Sequence, residues 1–393
     1  MLGSLGLIFS GGLLLGGLSK KINFPSLIGM IFFGIIIGPN GFGIVDKSVL
    51  MISTELRKIA LIIILINAGL NLDISQLKKN GTSSILLSFL PAVCEIIGIV
   101  ILGTKIFGIT IIESIVIGSI LAAVSPAVVV PRMLKLIKEE FGVKKGIPQM
   151  IVGAASIDDV FVIILFTNVV KLSSGSKITA NEILSLPISM CFGIFIGLVM
   201  GLFLVKIYRN FQMRNSIKVI ILLGMSFMIV EAENFIKISS LLSVILIGMV
   251  IYKKDNNLAK NLSSKFSKLW LGAEIILFVL VGTEININFA MKFGFSSVIL
   301  VLSGLVFREI GVFLSLMKSD LNFKEKLFTM IAYTPKATVQ AAIGGIPLMM
   351  GLGYGKLALT LAVVSILITA PIGAFLIDNF YKKLLLNDAV IEQ

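Results

Sequence analysis

Runs of apolar residues separated by short polar clusters recur along the whole 393-residue chain. A helix needs about 20 apolar residues to cross the hydrocarbon core of a bilayer. Thirteen such windows occur, near residues 2–18, 25–43, 57–72, 82–103, 110–132, 147–170, 184–206, 216–231, 236–252, 266–283, 290–316, 325–350 and 354–377. The pattern predicts an all-α polytopic membrane protein with about 13 transmembrane helices. Composition agrees, since 57% hydrophobic and 14% charged residues lie far from soluble averages. The first window has no basic residue before it and no small-residue cleavage site after it, so it reads as a retained helix rather than a signal peptide.

The net charge of +13 does not point to nucleic acid, because the Lys and Arg residues are scattered through the loops. Their distribution sets orientation instead. Odd-numbered loops and the C-terminal tail carry 23 of them and even-numbered loops 9. By the positive-inside rule the N-terminus is expected outside and the C-terminus in the cytoplasm. Short loops and the lack of a transit peptide suggest a bacterial plasma membrane. Cys94 and Cys191 fall inside windows and read as apolar filler. The chain has no histidine, so any pH response must come from carboxylates or amines. No nucleotide-binding loop or catalytic constellation appears, so neither enzymatic chemistry nor a cofactor is expected.

Five charges lie deep within windows: Glu95, Asp158, Asp159, Arg308 and Lys336. Each costs about 2.5–3.5 kcal/mol at a helix centre, so together they must pair or line water. Three negatives and two positives leave one carboxylate over. Such a group becomes neutral by taking a proton or a metal cation, and a site that chooses between them is the chemical core of a cation/proton exchanger. A single pair such as Glu95 with Arg308 can also be structural glue. The adjacent aspartates in GAASIDDVFVIILF are harder to read that way, because neighbours on a helix point about 100° apart and serve different partners.

Two windows are interrupted, and in similar ways. LAAVSPAVVVPRM carries Ser125-Pro126 and a second proline, Pro131, while IAYTPKATVQAAIGG carries Thr334-Pro335-Lys336. Proline removes a backbone donor and clashes with the preceding turn, so both spans should break near mid-membrane. Irregular backbone is tolerated at that depth where it lines a cavity. The breaks fall in the fifth and twelfth windows, which run in opposite directions, as an inverted repeat requires. A second match, Cys94-Glu95-Ile96-Ile97-Gly98-Ile99 with Phe307-Arg308-Glu309-Ile310-Gly311-Val312, puts Glu95 and Arg308 at equivalent places. The expected repeats are spans 4–6 and 11–13. Crossed half-helices aim their dipole ends at the crossing, where freed carbonyls and Ser125 are candidates to coordinate a small cation. Lys336 is placed to offset the dipoles or to pair with Asp158.

SIDDV, VSPAVVVP, TPKATVQAAIG and VFREIG together resemble the two-aspartate branch of the monovalent cation:proton antiporters. The resemblance is nearest to the sodium/proton antiporters of the animal NHA type and their bacterial relatives, and runs from about residue 25 through nearly the whole chain. It implies an elevator-type transporter that works as a homodimer in the lipid bilayer and exchanges Na⁺ or Li⁺ for H⁺. Residues 1–81 and 214–288 would form the dimerisation domain, 82–172 and 289–393 the core transport domain, and 173–213 a linker helix. Carried over by motif, Asp159 is the cation and proton ligand and Asp158 its supporting neighbour. Glu95 and Arg308 form a core salt bridge, Lys336 is a further partner of the aspartates, and Glu284 is an acidic residue on the dimer-domain side. Many electrogenic members have lysine where Arg308 stands. Arginine keeps its proton at physiological pH, which leaves an electroneutral cycle open.

Glu231 and Glu233 read as facing an aqueous funnel or the headgroups, Glu274 as an interface residue, and Asn67 as a polar contact between helices. Three alternatives accompany this reading: a K⁺/H⁺ antiporter, a sodium-coupled organic anion symporter, which calls for a roomy polar pocket, and a non-transporting receptor.

Overall fold

The computed structural model describes residues 1–22, 24–71, 81–173, 180–233, 235–236, 238–285 and 287–388. Every regular element among them is helical. In chain order these are α1 Leu2–Lys21, α2 Ser26–Ile37, α3 Lys47–Met51, α4 Ser53–Asn71, α5 Gly81–Leu87, α6 Leu90–Phe107, α7 Ile111–Leu121, α8 Pro126–Lys138 and α9 Ile147–Ser173. They continue as α10 Ala180–Asn210, α11 Asn215–Ala232, α12 Ser240–Lys254, α13 Asn256–Thr283, α14 Ile287–Ser315, α15 Phe323–Ala332, α16 Thr338–Ile343, α17 Ile346–Met349 and α18 Gly355–Leu384. Nine helical stretches among the described residues are long and apolar enough to cross a membrane. The other four predicted windows are met by shorter or more polar helices: α2 with 12 residues, α12 with 15, α4 with Glu55, Arg57 and Lys58 in its first turns, and the interrupted α15–α17.

The chain divides into two compact units, one comprising Met1–Leu50, Ile74–Val170 and Phe278–Gln393, the other Met51–Asp73 and Lys171–Leu277. In the first unit, α6 packs along α14, with α7, α8, α15 and α16 around α18. The order long helix, broken helix, long helix occurs twice, as α6, α7/α8, α9 and α14, α15/α16, α18. Both broken helices open on a capping box. Thr110 accepts from the Glu113 backbone N–H while Glu113 reaches back to Thr110, and Asn322 and Glu325 do the same.

Contacts between α6 and α14 are reciprocal. A Cβ on Gly98 would sit 2.5 Å from the Phe307 ring, while one on Gly311 would lie 2.7 Å from Pro91 Cα and 3.1 Å from Cys94 Cβ. Cys94 and Phe307 are equivalent positions of the repeat, as are Gly98 and Gly311, so each helix offers its glycine to the other's equivalent residue. That is the contact pattern of a two-fold axis between the repeats. Gly311→Ala, which drives a methyl into the Pro91 backbone, is expected to cost about 1–3 kcal/mol. A lowered thermal unfolding midpoint in detergent would register it.

The second unit packs α12 against α10 and α4. Gly193, Gly197 and Gly201 form a small-residue stripe on α10 that admits Ser239, Ser243 and Val250 at close range. Asn67 of α4 donates to Ser267 (3.3 Å) and accepts from Ser263 (2.8 Å) of α13, the interhelical polar contact expected of it. Glu233 pairs with Lys171 at 2.5 Å and accepts from Ser240, and Glu274 is half-buried on α13.

Candidate ion-binding site

Both breaks lie in the first unit and meet directly. α7 ends at Leu121 and α8 begins at Pro126, while α15 ends at Ala332 and α16 begins at Thr338. The Ser125 backbone N–H donates to the Pro335 carbonyl at 2.7 Å, tying one irregular segment to the other. Pro126 and Pro335 therefore mark breaks, as predicted. Pro131 does not: α8 runs through it to Lys138. Its missing donor would have reached only Ala127, near the start of the helix, and the remaining turns hold.

Arg308 is fully buried at the centre of the site. One terminal nitrogen donates to Asp158 Oδ2 at 2.8 Å; the other reaches Glu95 Oε2 at 3.3 Å and also the Ala122 carbonyl. Nε donates to the Tyr333 carbonyl at 3.0 Å, and the guanidinium lies 5.4 Å from the Tyr333 ring centroid. Arg308 thus caps the residues just past the C-terminal ends of both α7 and α15, where helix carbonyls lack partners and carry partial negative charge. Asp158 Oδ2 also accepts the Val124 backbone N–H at 2.9 Å.

Lys336, also fully buried, lies between Glu95 Oε1 (2.6 Å), Glu95 Oε2 (2.7 Å) and the Leu121 carbonyl (2.6 Å). This corrects the expectation that it pairs with the aspartates. Asp158 is already occupied by Arg308 and Val124. Lys336, whose backbone N–H is held by Thr369 Oγ1 at 3.0 Å, points to α6 instead. The Glu95–Arg308 bridge forms as predicted. A second correction concerns the freed carbonyls. Those of Leu121, Ala122 and Ala123 accept hydrogen bonds from Lys336, Arg308 and Gln340, which fills the role given to them as cation ligands with protein donors.

Asp159 differs from every other member of the cluster. It is 8% exposed and, among the described residues, has neither a salt-bridge partner nor a hydrogen-bond donor; its Oδ1 is buried and unpartnered. Ser125 Oγ and Asp158 Oδ1 are likewise buried and unpartnered. Arg308 and Lys336 are paired with Glu95 and Asp158, which leaves Asp159 without an ion pair among the described residues; Glu309, next to Arg308 in sequence, also has none but accepts from Thr334 Oγ1.

The family model described as sodium/hydrogen exchanger, transmembrane, matches residues 7–382. The chain belongs to the sodium/hydrogen exchanger family. Among its relatives, sodium/hydrogen exchanger 9B2 of Xenopus tropicalis is 34% identical over 98% of this chain and 75% of its own length. The human sodium/hydrogen exchanger 9B2 is 32% identical over 92% and 70%. The structure of the sodium proton antiporter MjNhaP1 from Methanocaldococcus jannaschii at pH 8 superposes with a TM-score of 0.83 at 20% identity, covering 98% of each chain. The fold is therefore that of an integral membrane exchanger, as the resemblance implied.

Other predicted positions of this exchanger lie outside the charge cluster. Glu284 is half-buried just beyond α13, in the same unit as the two repeats. Cys94 packs near Gly311, and Cys191 is exposed on α10; both are free thiols. Sequence reasoning missed Gln340, Tyr333 and Glu309, whose Oε1 accepts from Thr334 Oγ1 at 3.3 Å. Gln340 lies one turn beyond Lys336 in TPKATVQ, and that spacing was the available signal.

Proposed function

We propose that this exchanger moves Na⁺, or Li⁺, against H⁺ by letting cation and proton compete for Asp159. The observation that carries the reading is the pairing at the site: both cations of the cluster, Arg308 and Lys336, are spent on Glu95, Asp158 and backbone carbonyls, so Asp159 has no fixed counter-ion. An ionised carboxylate without a partner is costly in an apolar interior, and either a proton or a dehydrated monovalent cation removes that cost. Ser125 Oγ and Asp158 Oδ1 are the unclaimed oxygens proposed to complete the cation's shell, a small hard ion favouring oxygen ligands. Translocating Asp159 bare would cost several kcal/mol, so only neutralised states cross, and this couples the two fluxes.

Arg308 holds its proton throughout the cycle, which supports one proton per cation and an electroneutral exchange. The same reading takes the two repeats, residues 82–172 and 289–393, as the moving core, and residues 1–81 and 214–288 as the dimerisation domain of a homodimeric elevator with 173–213 as the linker. The excess of Lys and Arg in odd-numbered loops supports an N-terminus outside and a cytoplasmic C-terminus. Relatives named as sodium exchangers favour Na⁺ over K⁺ as the substrate and leave the symporter and receptor readings without support.

The test is cation-induced proton movement in proteoliposomes of the purified protein. Wild type is expected to exchange with Na⁺ and Li⁺ and not with K⁺, and Asp159→Asn to fall to the rate of empty liposomes. Full exchange by the mutant would remove Asp159 from the site.

A further inference from the structure

Gln340 is 1% exposed in the first turn of α16. Its Nε2 donates to two carbonyls of the first break, Leu121 at 3.2 Å and Ala123 at 2.9 Å. The Leu121 carbonyl is shared with Lys336 Nζ, one turn away on the same strand of sequence, and Ala122 is taken by Arg308. Three consecutive carbonyls of one repeat are thus held by three donors from the other. Two carbonyl acceptors fix the amide's orientation, since the reverse placement would set oxygen against oxygen. Oε1 is consequently turned away from them, buried and unpartnered.

The repeat relation shows that this clamp works in one direction. Aligning Ser125-Pro126 with Thr334-Pro335 puts Ala127 opposite Lys336 and Pro131 opposite Gln340, and neither Ala127 nor Pro131 offers a side-chain donor. Only the segment that carries Ser125 is clamped by side chains at these positions. It is also fixed at Val124 by Asp158 and at Ser125 by the Pro335 carbonyl.

We infer that Gln340 is a positioning residue for cation binding: it holds the unwound 121–125 segment so that the Ser125 hydroxyl stays in register with the aspartates. The inference rests on the reading above that Ser125 and Asp159 form the cation site. Loosening the clamp should weaken cation binding in ground state and transition state alike, which raises KM and leaves the maximal rate in place. It should also alter the ratio between Li⁺ and Na⁺, because the two ions need different oxygen distances.

The variants are Gln340→Met, similar in length without a donor, and Gln340→Asn, whose shorter amide reaches at most one of the two carbonyls and which serves if the first does not fold. In proteoliposomes, Gln340→Met is expected to raise the KM for Na⁺ about tenfold, with the maximal rate per folded protein within twofold of wild type. The KM for Li⁺ should change by a different factor, and Gln340→Asn should be intermediate. A role in folding alone would lower the yield or melting point and leave KM unmoved. Exchange with KM unchanged in the folded variants overturns the role of Gln340 only, whereas no exchange in wild type removes the site reading and this inference with it.

Discussion

Arg308→Lys is expected to destabilise the protein by about 3–5 kcal/mol although it keeps the charge, because two or more buried acceptors lose their donor. Arginine here uses three nitrogens on four acceptors lying in different directions: Asp158, Glu95, Ala122 and Tyr333. A lysine has one nitrogen on a flexible stem and cannot reach across two half-helices and two carboxylates together. The acceptors it leaves lie in a fully buried cluster, where each unmade hydrogen bond costs about 1–3 kcal/mol. A drop in the thermal unfolding midpoint, with the surviving folded fraction showing impaired exchange, is the expected result. A midpoint equal to wild type would show that the guanidinium fork is not what joins the two repeats.

The second large effect is a contrast between neighbours. Asp158→Asn removes the carboxylate that faces Arg308 at 2.8 Å and leaves that buried guanidinium without its nearest ion-pair partner. A loss of about 3–5 kcal/mol follows from breaking a buried pair on one side. Asp159→Asn removes an anion that has no fixed partner, so its midpoint should stay level or rise while exchange is lost. Adjacent, chemically identical substitutions should therefore separate stability from transport. Measuring melting curves and proteoliposome exchange on both variants tests this. Equal destabilisation by the two would contradict the pairing at the site.

Much of this was legible in the chain because the bilayer makes deep charges and prolines conspicuous. Ser125-Pro126 and Thr334-Pro335 gave the two breaks. The match of CEIIGI to FREIGV placed Glu95 opposite Arg308, a pair the structure closes at 3.3 Å. Counting the five deep charges left one carboxylate over, and among the described residues Asp159 has no ion pair; Glu309, which that count omits, has none either. Partner choice within the cluster was not legible. Lys336 is 241 residues from Glu95 and 178 from Asp158 in sequence, and which carboxylate it meets depends on how α6 and α9 pack about the second break. The fate of the freed carbonyls was hidden for the same reason, since Gln340 and Arg308 reach them from the opposite repeat. Pro131 misled because a proline's effect depends on its distance from the helix start, and the start at Pro126 is set by the tertiary crossing. Window lengths were legible only in part: the helices are more polar than a full span at α4, with Arg57, and shorter at α2 and α12.

If Na⁺ and H⁺ share one carboxylate, Na⁺ binding must release a proton. Purified protein in weakly buffered detergent solution, at a pH where the site is protonated, receives NaCl or choline chloride while pH is recorded. Wild type is expected to release protons with Na⁺ and none with choline, saturating as the site fills, and Asp159→Asn to release none with either. Equal proton release from the mutant, or Na⁺ binding by wild type without release, would contradict competition at Asp159.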